Sequence, residues 1–217
     1  QFGDVYVADV ANNRIQRFGQ RGISDAVFGH PEADISNQWI GGARKFYATG
    51  SKPGRGPGEL TLPLDFTMIP GKDGDGFAVV DATKRVSVWD EAGKTLTSWD
   101  VASDVKIDDG VGGEAYIEYV KGDLVVFWAG AAFVYALDGE QLGTWEVQDG
   151  VPNGSVAFKS GKLGLIFGDT LVLYSVDGFR HGGIISEELG EGFESWDVTL
   201  DEKGKIWAVT DHGYVFK

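Results

Sequence analysis

Apolar positions in this chain do not recur with a helical period. Short runs of Val, Ile, Leu, Phe, Tyr and Trp alternate with turns rich in Gly, Asp and Asn, a pattern that predicts many short antiparallel strands. Five runs are related: VYVADV at 5–10, FAVVDA at 77–82, LVVFWA at 124–129, LGLIFG at 163–168 and IWAVTD at 206–211. Each leads through a turn into a second apolar run, beginning at Arg14, Arg85, Ala132, Thr170 and Gly213. No stretch reads as a long amphipathic helix.

Three of the four spacings between first runs fall near the ~40–50 residues of a four-stranded propeller blade. The repeat extends further. Asp90 to Val101 and Asp138 to Val147 share a glycine turn, a leucine and a hydroxyl-Trp-acid-Val ending built on Trp99 and Trp145. A weaker third copy runs from Val176 through Gly178 to Ile185. These segments read as outermost strands, each followed by the innermost strand of the next blade, such as 64–69 or 196–200. Inner runs such as Leu124-Val125-Val126-Phe127-Trp128 are apolar on both faces, as sheets packed between neighbours require, whereas a sheet wet on one side alternates. The first spacing is longer by about 25–30 residues, which predicts an insertion at about 20–42. The expectation is all-β: one propeller domain over residues 1–217, with five blade units visible.

VYVADVANNRIQRF, opening at Val5, resembles the core of an NHL repeat: an apolar-Tyr-Val-Ala-Asp run, an Asn-Asn-Arg-Ile turn and an apolar strand ending in Phe. Asp9, Asn12, Asn13, Arg14, Ile15 and Phe18 match the pattern; Arg17 departs from it, where an aliphatic residue is usual. Phe46 to Leu60 resembles the Gly-rich link between NHL blades, and Phe77 to Trp89 repeats the motif with Asp81 and Arg85 around a shorter turn. The resemblance is strong over about the first 100 residues, and later blades keep only the strand rhythm. It implies part or most of a ring like the six-bladed NHL-like propellers of bacteria, commonly exported. Exported chains of this kind place the protein outside the cytoplasm, in the periplasm or at the cell surface.

The motif residues have a structural role ready to hand. Asn and Asp tolerate left-handed turns and bond their own backbone, and an Asp ending one strand can pair with an Arg opening the next. Asp9, Asn12, Asn13, Arg14, Asp81 and Arg85 are therefore read as hairpin architecture.

Charge narrows the partners. With 19 Lys and Arg against 33 Asp and Glu, the net charge is −14, and a polyanion meets repulsion where nucleic-acid binding relies on cations. Nucleic acid is not an expected partner. The absence of cysteine excludes disulfides and thiolate metal sites, and no run reaches the roughly 20 apolar residues of a membrane-spanning helix. Gln1 in first place reads as a processed or partial chain.

Candidate chemistry is sparse. Gly54-Arg55-Gly56-Pro57-Gly58 lacks the helix and Lys-Ser/Thr of a phosphate loop and reads as a link between blades. Lys72-Asp73-Gly74-Asp75-Gly76 lacks the later ligands of a calcium loop. His30, His181 and His212 form no local motif, and no catalytic residue or metal ligand is assigned. Glu187 to Glu194 reads as a solvated acidic loop. The leading expectation is a non-catalytic interaction or scaffold module docking on another protein, as a subunit of a membrane-associated assembly. Its contacts are placed on Arg17, Arg21, His30, Trp39, Arg44 and Lys45. The alternatives are a metal-dependent lyase or hydrolase with a divalent ion on the channel axis, unsupported by a motif, and small-ligand or carbohydrate binding through tryptophans. No cofactor is expected.

Overall fold

A computed structural model describes residues 5–19, 24–29, 39–40, 43–44, 52–71, 75–90, 93–102, 115–168, 170–185, 195–200, 206–210 and 215–216. The chain divides into two compact units, Gln1–Asp100 and Val101–Lys217.

In the first unit, strands β1 (Val5–Asp9), β2 (Arg14–Phe18) and β3 (Ser24–Phe28) form an antiparallel sheet in that order. A two-residue ladder follows, β4 (Trp39–Ile40) with β5 (Ala43–Arg44), and then a four-stranded meander of β6 (Pro63–Ile69), β7 (Gly76–Asp81), β8 (Arg85–Trp89) and β9 (Thr95–Asp100). The span read from the sequence as inserted therefore contains β3, which pairs with β2 from Ile15 opposite Phe28 to Phe18 opposite Ser24. The extra length between the first sheet and β6 falls after Gly29. Only Ala26-Val27-Phe28 marks β3 in the sequence, too short a run to show period-2 alternation.

The second unit holds two four-stranded meanders and a three-stranded sheet. The first meander is β10 (Ala115–Val120), β11 (Asp123–Trp128), β12 (Ala131–Ala136) and β13 (Gln141–Glu146). The second is β14 (Gly154–Ala157), β15 (Lys162–Phe167), β16 (Thr170–Ser175) and β17 (Arg180–Ile185), and β18 (Ser195–Leu200), β19 (Ile206–Thr210) and β20 (Val215–Phe216) complete the unit. Strand β14 packs against both β10 and β18, so the leading strands of the three sheets are neighbours.

All five pairs of runs read from the sequence are hydrogen-bonded hairpins: β1–β2, β7–β8, β11–β12, β15–β16 and β19–β20. Burial follows their position within each sheet. Strand β8 is buried throughout and β11 from its second residue on, the pattern of strands covered on both faces. Strand β9 alternates half-buried and exposed residues, and β13 nearly does, because one face of each is wet.

Two cores result. In the first unit Phe28 of β3 lies with Phe77 and Trp89, the ring centroids of Phe28 and Phe77 4.7 Å apart and those of Phe77 and Trp89 5.6 Å apart, with Tyr6 packed beside them. In the second, Val125, Phe127, Val134, Leu163, Leu165, Val172 and Tyr174 fill the space between the two meanders. The fifth residue of each third strand is a buried aromatic in all three meanders: Trp89, Tyr135 and Tyr174.

Candidate functional site

The hairpin motif is an internal brace. Asp9 ends β1 and its Oδ2 accepts from Arg14 Nε at 2.7 Å, while Oδ1 accepts from Asn12 Nδ2 at 2.7 Å. Asn13 adopts the left-handed conformation at φ 54°, and its side-chain oxygen accepts from the Leu62 amide at 2.8 Å. One hairpin thus fixes both its own turn and the strand-entry link of the next sheet.

In the second sheet the same positions are deeply buried. Asp81 is fully covered, and its Oδ1 accepts from the Thr83 amide at 2.9 Å while Oδ2 accepts from the Thr61 amide at 3.3 Å. The Arg85 guanidinium lies 3.4 Å from Asp81 and donates to the carbonyls of Gly54, Gly56 and Glu59. The glycine-rich link therefore turns carbonyl oxygens towards a cation, the opposite polarity to an anion cradle, whose amides point inward. Arg55, in the same link, reaches outward to the Thr83 carbonyl at 3.0 Å and to Asp100.

Of the six residues placed at a partner contact, three are described. Arg17 is half-buried in the middle strand of the first sheet, between Tyr6 on β1 and Ala26 on β3. Trp39 and Arg44 are cross-strand partners in the β4–β5 ladder. Arg21, His30 and Lys45 lie outside the described residues, as do His212 and the whole acidic loop 187–194. His181 is exposed, its ring edge-on to Phe179 at 5.1 Å. Asp75 accepts from the Gly71 amide at 3.2 Å within the connection from β6 to β7. Among the described residues no group of three or more His, Cys, Asp or Glu is arranged to hold a metal, and no helix is long and apolar enough to cross a membrane.

A groove of about 610 Å³ in the second unit, unmarked by the sequence motifs, lies between the outer strand β13 of the first meander and the turns after β14 and β16 of the second. Trp145 of β13 forms one wall, its ring stacked on Tyr174 at 5.3 Å and its Nε1 donating to the Val176 carbonyl at 2.9 Å. Gly178 packs against the same indole: a Cβ there would stand 2.7 Å from Trp145 Cγ. Lys121 enters from the β10–β11 turn, where it and Gly122 both have positive φ, as a tight hairpin of primed type requires. The Lys121 side chain lies across Gly161 of the next meander, where a Cβ would come within 2.1 Å of Lys121 Cε. Asp123, Asp177 and the exposed Leu142 complete the rim.

Part of the groove is space that Gly143 leaves open. Gly143 pairs with Val134 on β12, the place that Thr97, opposite Val88, occupies in the preceding sheet. A Cβ on Gly143 would meet nothing within 4 Å. Setting Thr95 to Val101 beside Gln141 to Val147 exposes that Thr-to-Gly difference, the one signal in the sequence that marks the site.

Similarity to solved structures agrees with the strand order. The chain aligns with the WD40 β-propeller domain of Doa1 at TM-score 0.60 and 12% identity, over 99% of this chain and 60% of that one. This is a β-propeller fold. BBS1N, solved in complex with ARL6DN, aligns at TM-score 0.56 and 12% identity, over 95% of this propeller and 57% of that chain. A protein of unknown function from Bacteroides caccae aligns at TM-score 0.57 and 11% identity, over 95% and 66%. The propeller thus spans less than two thirds of the length of each. No family model and no curated protein matches it.

Proposed function

We propose that this chain is a non-catalytic, NHL-like propeller module that docks on another protein. One observation carries the reading: the repeat spends its polar hairpin residues inside the fold and displays apolar ones at its outer strands. Asp81 and Arg85 are buried against each other and the link backbone, while Leu96 and Leu142, three residues before Trp99 and Trp145, are 59% and 51% exposed on β9 and β13. Large apolar side chains standing at equivalent wet positions of a repeat suit a surface that a partner covers. BBS1N, similar in fold, was itself solved in complex with ARL6DN.

In the fuller form of this reading the module forms part of a six-bladed ring, is exported, and serves a membrane-associated assembly. The segment after Gly29, with Trp39 and Arg44, contributes contacts. The test is purification of the tagged protein from its native cells, beside a variant in which residues 30–42 are replaced by a short Gly-Ser link that leaves β3 in place. Loss of a specific co-purifying protein from the variant is expected. Equal recovery overturns this contact assignment, and absence of any stoichiometric partner overturns the module reading. Fractionation of the same cells reports on export.

A further inference from the structure

Strand β13 ends its sheet: it pairs with β12 on one side, and among the described residues nothing pairs along the other. Such an edge offers a row of backbone donors and acceptors to another extended chain. Alternate residues of a strand share a face, so Gly143 lies on the face that Trp145 turns towards the next meander. A strand added along β13 would set its own residues directly beside those of β13, with cross-strand neighbours on the same face about 5 Å apart. The partner residue beside Gly143 would then project into the space that Gly143 leaves open.

Charge selects the kind of strand. From Asp138 to Asp149 the chain carries Asp138, Glu140, Glu146 and Asp149 and no Lys or Arg. In the groove itself two carboxylates, Asp123 and Asp177, stand against one ammonium, Lys121. The Asp177 carboxyl accepts from the Ser175 hydroxyl and, as an exposed aspartate, is anionic at neutral pH. On a chain of net charge −14 this edge favours a basic segment over an acidic one.

We propose that the open edge of β13 and the groove beside Gly143 form a docking site for an extended, basic segment of a partner protein, which adds as a fifth strand and seats one aliphatic side chain in the groove. The inference rests on the interaction-module reading and specifies its surface. The aliphatic side chain lies against Leu142, Val176 and Trp145, and Lys or Arg two positions to either side meet Asp123 and Asp177.

The test uses calorimetric titration of the whole chain with heptapeptides that alternate threonine on one face with lysine, leucine or isoleucine, and lysine on the other. Counterparts with glutamate for lysine, and with aspartate at the central position, serve as controls. The basic peptides are expected to bind at least about tenfold more tightly than either control, a ratio supplied by burial of one aliphatic side chain against the aspartate set and by charge complementarity against the glutamate set. Gly143→Val occupies the part of the groove beside β13 on a strand-compatible backbone with room for the new atoms. It is expected to weaken binding by about tenfold or more without lowering the unfolding midpoint. Failure of all basic peptides to bind overturns the proposal, as does equal binding by the acidic set or unchanged binding by Gly143→Val. Should the peptides fail while a native partner still co-purifies, the groove is the wrong surface and the module reading stands. Should they bind in a Gly143-dependent way with no native partner found, the groove stands and the wider reading falls.

Discussion

The buried hydroxyl of Tyr174 donates to the carboxylate of Asp149, which also accepts two bonds from the Arg180 guanidinium, at 2.9 and 3.3 Å. This trio ties the link before β14 to strands β16 and β17. Burial, and then the bond to Asp149, push the Tyr174 hydroxyl up to about 12. The folded value lies above the unfolded value of 10.0, so its stabilisation is complete below pH 10, declines as pH rises, and is gone beyond about 12. Tyr174→Phe is expected to lower stability by about 1 kcal/mol at neutral pH and to flatten the alkaline decline, with a residue left by Tyr135, which burial also raises. Urea unfolding on both sides of pH 10 checks this; an equally steep alkaline decline in the variant refutes it.

Asp149 gives the opposite sign. Arg180 first, and then Tyr174, hold its carboxyl below the usual 3.8. Its contribution is therefore present above that value and is lost as pH falls through the lower folded one. Asp149→Asn is expected to reduce the acid sensitivity of the second unit, read by tryptophan emission between about pH 2 and 5.

The two hairpin braces differ in worth. Asp81 and Arg85 are 0% and 5% exposed, whereas Asp9 and Arg14 are 24% and 12% exposed. Removing one partner of a buried pair strands a charge, so Asp81→Ala is expected to cost roughly 3–5 kcal/mol. Asp9→Ala, with water in reach, is expected to cost about 1 kcal/mol. Equal losses in denaturant titrations would show that burial does not separate them.

Gly178 and Gly122 both have positive φ, at 85° and 109°, so alanine at either site meets backbone strain of about 1–2 kcal/mol. Only at Gly178 does the new methyl also strike the Trp145 indole, while at Gly122 it meets nothing within 4 Å. Gly178→Ala should therefore be the more destabilising and should shift Trp emission. Identical effects would contradict the packing of the turn on the indole.

Phe28 tests the assignment of β3 to the first sheet. It is 5% exposed and packs on Phe77 and Trp89, so Phe28→Ala is expected to cost about 3–5 kcal/mol. A neutral effect on the unfolding midpoint would return residues 24–28 to an inserted loop.

Strand pairs were legible because each is a run of apolar residues bounded by turn residues, and sheets packed on both faces write that pattern strongly. Strand β3 was not, because its short apolar end is preceded by Ser24 and Asp25 and its place depends on non-local contacts, the pairing with β2 and the packing of Phe28 on Phe77 and Trp89. The outer strands were found through Trp99 and Trp145, large residues that repeat visibly. The groove was not legible for the converse reason: Gly143 marks it by the side chain it lacks, and a missing side chain carries no hydrophobic or charge signal.

The anchoring of the glycine-rich link by Arg85 has a consequence for how this protein is handled. Residues 54–60 have the composition of a protease-sensitive connector, yet three of their carbonyls are held by one buried guanidinium. Limited digestion should spare this link while the fold holds, so fragments cut by proteases will not report the sheet boundary that lies there.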